Sequence, residues 1–330
     1  MYLQPPKKID YNIISDKPKL SVLVPGIRPE YWTDIYNSII GSTSSSFELI
    51  LITPYPYAIE PALLLAPNFK VIKDYGSPVR AHAIGAAIAE GELITWISDD
   101  GFFVPYGLET ALAQLDKMGD DIKNIVTYKF TENEKVYTDE YYKINFHKDK
   151  EGNGIGSEHI PDDYFILNSA IMYREYYDQL GGVNCDYECT ALAYTDLAIR
   201  AQADGANVQL LEGIPILMCT QQNDNESHGI IHDAQITHDE PLYNKTYKKA
   251  AWKEELQINL DVKSQWKKAD TLWSRKWKSQ FESTDTPYAY LPLGDDIRSM
   301  PPTAQYEIIK KLGSPAVTYE MKHLHRDKNE

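Results

Sequence analysis

Short, wholly apolar runs alternate with helical segments through roughly the first hundred residues, and this alternation limits the fold more than any other feature. Leu20-Ser-Val-Leu-Val24 reads as a buried strand stopped by Pro25-Gly26. Glu30 to Ile40 places Tyr31, Ile35 and Ile39 at helical spacing, and the Ser/Thr-rich stretch after Gly41 ends it. Phe47 to Ile52 and Phe69 to Ile72 are further strands, and Val79 to Glu90 is an alanine-rich helix closed by Gly91. Leu93 to Ile97 is a fourth strand. Later, a helix from Tyr194 to Ala203 ends at Gly205, and a strand follows from Val208 to Leu211. Strand, helix, strand at this spacing predicts βαβ units, hence an α/β fold with a mostly parallel sheet flanked by helices. Such sheets bind ligands at the carboxyl ends of their strands. The ends to inspect are Pro25-Gly26, Thr53-Pro54 and Ser98-Asp-Asp-Gly101.

Composition removes several function classes. Lys and Arg total 33 against 48 Asp and Glu, a net charge of −15, whereas a general nucleic-acid binder needs a basic surface to displace counterions. No apolar run reaches the ~18–20 residues of a membrane span. Three cysteines, Cys185, Cys189 and Cys219, are too few for a disulfide framework and suit a reducing, cytoplasmic setting. Cys185-x3-Cys189 lacks the second pair of a zinc site, so small buried hydrophobes are the expected role. The organisation expected is a polar leader over 1–19, a catalytic-type domain over 20–240 and a mainly helical extension over 241–330. Within the domain, Thr131 to Asp163 is polar and aromatic, the character of a hairpin or long loop over the sheet. Long loops in compact domains are often functional.

The sharpest local feature is Trp96-Ile-Ser-Asp99-Asp100-Gly101, two adjacent acids just past an apolar strand. Carboxylates there can hold a hard divalent cation that neutralises a diphosphate. An Asp-Asp-Gly turn in solvent has the same residues. The wider pattern resembles the inverting family 2-like glycosyltransferases of the GT-A fold. It runs from Leu20-Ser-Val-Leu-Val-Pro25 through Arg80-Ala-His-Ala-Ile-Gly85, Gly91 and Asp99-Asp100 to Asn168, Gly181-Gly182-Val183 and Asp196-Leu-Ala-Ile-Arg200. The resemblance implies a GT-A sheet and transfer of a sugar from a nucleotide-diphosphate donor to a saccharide or glycoconjugate hydroxyl, with inversion. By that likeness Asp99 and Asp100 hold Mn2+ or Mg2+ and the donor phosphates, and Arg80 lies near the nucleotide together with Pro25, Gly26 and Thr53. Asp196, placed at the N-terminal end of its helix, takes the general base. An acid there also complements the helix dipole, and Arg200 one turn on is its natural ion-pair partner.

The chain departs from the family pattern at Gly26, at Thr53-Pro54, at Ser98 and at Thr195, where polar or acidic residues are usual. His228-x3-His232 lies in a polar stretch, and the resemblance makes His228 a third metal ligand. Between Lys248 and Lys278 nine Lys/Arg oppose four Asp/Glu, and Trp266, Trp273 and Trp277 fall on one helical face. That composition fits peripheral contact with an anionic membrane, and equally an amphipathic helix packing its rings onto the domain. Two alternatives stay open beside the transferase: a sugar nucleotidyltransferase, for which Pro25-Gly-Ile-Arg-Pro29 is a poor phosphate loop, and a non-catalytic glycan- or nucleotide-binding module.

Overall fold

The computed structural model describes residues 17–53, 59–60, 63, 66, 68–74, 76–147, 155–220 and 234–261. In chain order the first elements are β1 (Leu20–Pro25), α1 (Pro29–Ser42), β2 (Phe47–Thr53), β3 (Phe69–Lys73), α2 (Pro78–Ile88) and β4 (Leu93–Trp96). Next come β5 (Gly101–Phe103), α3 (Gly107–Met118), β6 (Asn124–Thr127), β7 (Phe130–Glu132) and β8 (Lys135–Val136). The remainder comprises β9 (Ala170–Tyr173), α4 (Arg174–Gln179), α5 (Thr190–Ala203), β10 (Asn207–Leu210), β11 (Leu217–Cys219), α6 (Glu240–Tyr247) and α7 (Trp252–Glu255).

Seven strands form one sheet in the order β10-β6-β9-β4-β1-β2-β3. All its pairings are parallel except those of β9, which runs antiparallel to both β4 and β6. This is the mostly parallel, helix-flanked α/β sheet expected of a GT-A fold. A second sheet, β5-β11-β7-β8, lies beside it. There the Thr131–Asp163 stretch supplies the β7–β8 hairpin and two 3-10 turns, Asp139–Tyr142 and Ile144–His147.

Central strands of a sheet covered on both faces must be apolar throughout. β2, Phe-Glu-Leu-Ile-Leu-Ile-Thr, is buried at every position. Its one charge, Glu48, is accommodated by pairing: Ser21 Oγ and the Glu90 amide each donate to it at 2.5 Å, and Lys70 Nζ lies 2.6 Å away. α2 starts where Ser77 accepts a hydrogen bond from the Arg80 amide and Pro78 presets the first turn. Its alanines and Gly85 let it lie close on the sheet. A Cβ at Gly85 would stand 2.7 Å from Ile52 Cδ1 and 3.3 Å from Leu23 Cδ2.

α5 begins at Thr190, a turn before the expected start at Tyr194. At the C-terminal end a π-helical turn, Gln235–Asp239, runs straight into α6, so the expected division after 240 falls inside a helical run. Tyr243, Tyr247 and Trp252 are buried in the main core, and Trp252 Nε1 donates to His159 O at 2.8 Å. For Trp252, packing onto the domain is therefore the observed role. Within the mainly helical extension expected after 240, helix is interrupted after Tyr247 and again after Glu255. Trp266, Trp273 and Trp277 lie outside the described residues. Among the described residues no helix is long and apolar enough to cross a membrane.

The close approach at Gly85 has a measurable consequence. Gly85→Leu should overpack the α2–sheet interface and lower stability by about 1–3 kcal/mol, read as a reduced urea midpoint. A midpoint unchanged from wild type would show that α2 shifts without cost.

Candidate functional site

The parallel strands deliver their carboxyl ends to one edge, and β1 is the strand at which the order reverses, with β2 on one side and β4 on the other. Open α/β sheets bind ligands in the crevice at such a switch point. A cleft of about 430 Å3 opens there. Pro25 and Gly26 after β1, Asp74 after β3 and Ser98–Asp100 after β4 form one wall. Phe130 and Glu132 of β7, Cys219 of β11, Asn168 and the first turn of α5 form the other.

The best-defined contact joins the β1 and β4 ends. Asp99 Oδ2 accepts from the consecutive amides of Ile27 and Arg28 at 2.6 and 2.7 Å, and Oδ1 receives Arg28 Nη1 at 2.8 Å. Burial raises the Asp99 carboxyl above its ordinary range, while the guanidinium and the amides draw it back. Asp100 is differently placed. Its Oδ1 accepts from Ser98 Oγ at 2.5 Å and lies 3.4 Å from Arg28 Nη1, while among the described residues Oδ2 has no contact of this kind.

The residues expected at the nucleotide divide in the same way. Pro25 and Gly26 line the cleft, and a Cβ at Gly26 would meet Leu51 Cδ1 at 2.6 Å. Thr53 is fully buried at the end of β2, below the cleft, where its carbonyl accepts from the Asp74 amide. Arg80 is also buried beneath the wall. Its Nε reaches both oxygens of Asp74 at 3.1 Å, so Asp74, not Arg80, is the group presented to a ligand.

The helix position expected for Asp196 is corrected by the structure. It sits well over a turn inside α5 rather than at its N-terminal end, and it does not line the cleft. Its Oδ2 receives Arg200 Nε at 2.8 Å and its Oδ1 receives Tyr247 OH at 2.6 Å. Arg200 is itself buried and donates to Leu180 O at 2.7 Å and to Gly182 O at 2.5 Å. Those carbonyls belong to the Gly181–Gly182 turn, where both glycines have positive φ and a Cβ at Gly181 would strike Leu260 O at 2.2 Å. Asp196 and Arg200 thus form an interior tie between α5, the glycine turn and the C-terminal arm.

His228 and His232 lie outside the described residues. Asp99 spends its lone pairs on N–H donors, which leaves Asp100 as the carboxylate that fits a cation. Among the described residues no group of three or more His, Cys, Asp or Glu is arranged to hold a metal ion. Cys189 and Cys219 line the cleft, but burial pushes both thiols up to about 12, so neither is a thiolate nucleophile near neutral pH.

Four cleft residues were not singled out in the sequence as parts of this site. Arg28 lies in a loop that reads as a poor phosphate cradle. Asp74 follows β3 in a stretch that carries no motif. Glu132 stands in a polar hairpin without a motif. Asn168 belongs to the motif resemblance, and in the cleft wall its Oδ1 is buried without a hydrogen-bond partner among the described residues. A buried polar atom left unpaired calls for a ligand or water.

No family model and no curated protein matches this chain. Among solved structures the chain is similar to S. aureus TarS 1–349 (TM-score 0.46, 17% identity, covering 93% of this chain and 83% of that one). It is also similar to S. aureus TarS (TM-score 0.45, 15% identity, 90% of this chain and 54% of that one). A third match is S. aureus TarS 1–349 in complex with UDP (TM-score 0.45, 15% identity, 90% and 89%). The fold assignment rests on the sheet topology described above.

Removing one partner of a buried ion pair strands the other charge. Arg200→Met should therefore cost about 3–5 kcal/mol, measured by urea unfolding, and adding Asp196→Asn should recover part of the loss. A loss below about 1 kcal/mol would show that Asp196 is solvated.

Proposed function

We propose that this protein is a glycosyltransferase that takes a nucleotide-diphosphate sugar as donor and a saccharide or glycoconjugate hydroxyl as acceptor. The observation that carries this reading is the switch-point cleft itself. Backbone and guanidinium of the β1 loop are held beside an acid with an open oxygen, opposite a wall carrying a second, differently disposed acid. The nucleotide lies along the β1–β3 ends, where Ile52 and Pro78 give an apolar floor and Asp74, held by Arg80, offers an acceptor-only edge. The diphosphate falls near Arg28 and Asp100. A divalent cation held by Asp100 would supply further positive charge for the departing diphosphate.

Glu132 is the general base in this reading. It is a cleft carboxylate for which no cationic partner is described, unlike Asp74, Asp99 and Asp100, which face Arg80 or Arg28. It stands directly across the second sheet from Cys219, whose Sγ is 3.9 Å from Ser98 Oγ, so it borders the diphosphate side from the acceptor wall. Tyr137 OH donates to its Oε2 and fixes its orientation. The acceptor oxygen attacks the anomeric carbon as the carbon–oxygen bond to the diphosphate breaks, and its proton passes to Glu132. A single displacement of this kind inverts the anomeric centre. The non-catalytic binding module remains the second reading, favoured by the engagement of Asp196 in a structural ion pair.

Two measurements test the proposal. A nucleoside diphosphate at a hundredfold excess over its Kd should stabilise the protein by about 2.7 kcal/mol. UDP, GDP, CDP, ADP and dTDP are each run with Mn2+ and with EDTA, and Asp100→Ala should reduce the shift. No shift with any nucleotide would sink the donor site. Glu132→Gln should leave that shift intact while lowering kcat for sugar transfer by about 10^2–10^4-fold. Undiminished transfer by this variant would remove Glu132 from the role of base.

A further inference from the structure

The geometry points to a saccharide-binding shelf on the β7–β8 hairpin and the two 3-10 turns after it, shaped for a neutral glycan acceptor and leading its hydroxyl to Glu132. This inference rests on the transferase reading and adds the acceptor's class and the surface that selects it.

The shelf is built from rings. Tyr137 and Tyr141 stack with centroids 3.8 Å apart and planes 22° from parallel. Tyr141 meets His147 edge-on at 4.8 Å and Phe146 at 5.8 Å. Beneath them Phe130 and Tyr142 anchor the cluster to the second sheet, with Phe130 5.7 Å from Tyr137 and 5.6 Å from Tyr142. The upper members are not covered. Phe146 is 51% exposed and Val136 62% exposed, and Tyr137 and Tyr141 are only half-buried. Large apolar groups clustered on a surface mark an interaction site more often than isolated ones do.

Three features select a sugar over a lipid surface or a protein. The shelf is continuous with the cleft, because the hydroxyl of its stacked Tyr137 donates to Glu132, which lines that cleft. It is mixed in character: aromatic faces alternate with hydrogen-bonding side chains such as Lys135, whose Nζ stands 4.6 Å over the Tyr137 ring, and Asn145. Amphipathic rings with a polar rim match a pyranose, which has an apolar face and an edge of hydroxyls. The charge balance is also wrong for anionic partners. From Thr131 to His147 there are two Lys, Lys135 and Lys143, against four acids, Glu132, Glu134, Asp139 and Glu140, a net of −2. That field repels anionic lipid and acidic glycans and leaves neutral ones.

The full-length protein, fluorescently labelled, is tested on a printed array carrying neutral, sialylated and sulfated oligosaccharides. The expected result is retention on a subset of neutral glycans. Tyr141→Ala and Phe146→Ser should each lower the affinity at least tenfold, and Tyr141→Phe should keep it, because the ring and not the hydroxyl makes the contact. The shift in thermal midpoint on adding nucleoside diphosphate, taken against each variant's own ligand-free midpoint, should match wild type in all three, which separates loss of the shelf from loss of fold or donor site. Retention of no neutral glycan, a preference for acidic ones, or equal retention by Tyr141→Ala would overturn the inference. If glycans bind but no nucleotide does, the shelf stands as a glycan site and the transferase reading falls.

Discussion

The cleft depends on one carboxylate. Asp99 holds two consecutive backbone amides and the guanidinium of the β1 loop, and by doing so locks together the ends of two parallel strands that arrive side by side at the switch point. The amides of Ile27 and Arg28 have no strand partner once β1 ends, so an acceptor must meet them or they stay unpaired next to a buried wall. Asp99 meets both. This fixes the Arg28 side chain beside Asp100, one residue on, whose Oδ2 has no hydrogen-bond or ion-pair partner among the described residues.

The same economy recurs through the interior. Glu48 in the interior strand β2, Asp74 at the end of β3 and Asp196 in α5 are all buried, and each is compensated by a named cation or hydroxyl: Lys70 and Ser21, Arg80, then Arg200 and Tyr247. The Ser21–Glu48 and Tyr247–Asp196 contacts join elements 27 and 51 residues apart, whereas the Asp74–Arg80 pair is local. The Asp196–Arg200 pair is the most extensive, because Arg200 also reaches the carbonyls of the glycine turn and Ile258 O at 3.3 Å. The C-terminal arm is thereby part of the same core that carries the cleft. Breaking such a pair costs more than the pair itself contributes, since the remaining charge stays buried.

How far the sequence could be read follows from the range of the forces involved. Strands β1 to β4 and helix α2 were legible because a fully buried parallel strand is an uninterrupted apolar run, and α2 is a run of small helix formers with a cap. Helix α3 carries Leu108, Leu112 and Leu115 at helical spacing, a signal the sequence itself contains. Strands β6 and β9 are short and lie between polar segments, and only their pairing with each other and with β4 makes them strands. In the site, Asp99 and Asp100 were found from their position after a strand. Which of them is structural was not visible, because the decision lies with amides some seventy residues away. Asp196 matches a base through the family resemblance, while its spacing to Arg200 equally allows an ion pair. In the structure it is buried and makes that ion pair.

The sequence by itself determined the alternation of strands and helices, the mostly parallel sheet and the edge at which a ligand site would form. These follow from local hydrophobic period and chain direction, which neighbouring residues specify. The tertiary structure alone decided which acids face the cleft, that Arg28, Asp74 and Glu132 belong to it, and that an aromatic hairpin borders it. Those assignments depend on contacts between residues distant in the chain, and a side chain's burial and partners are properties of the packed whole that no local spacing encodes.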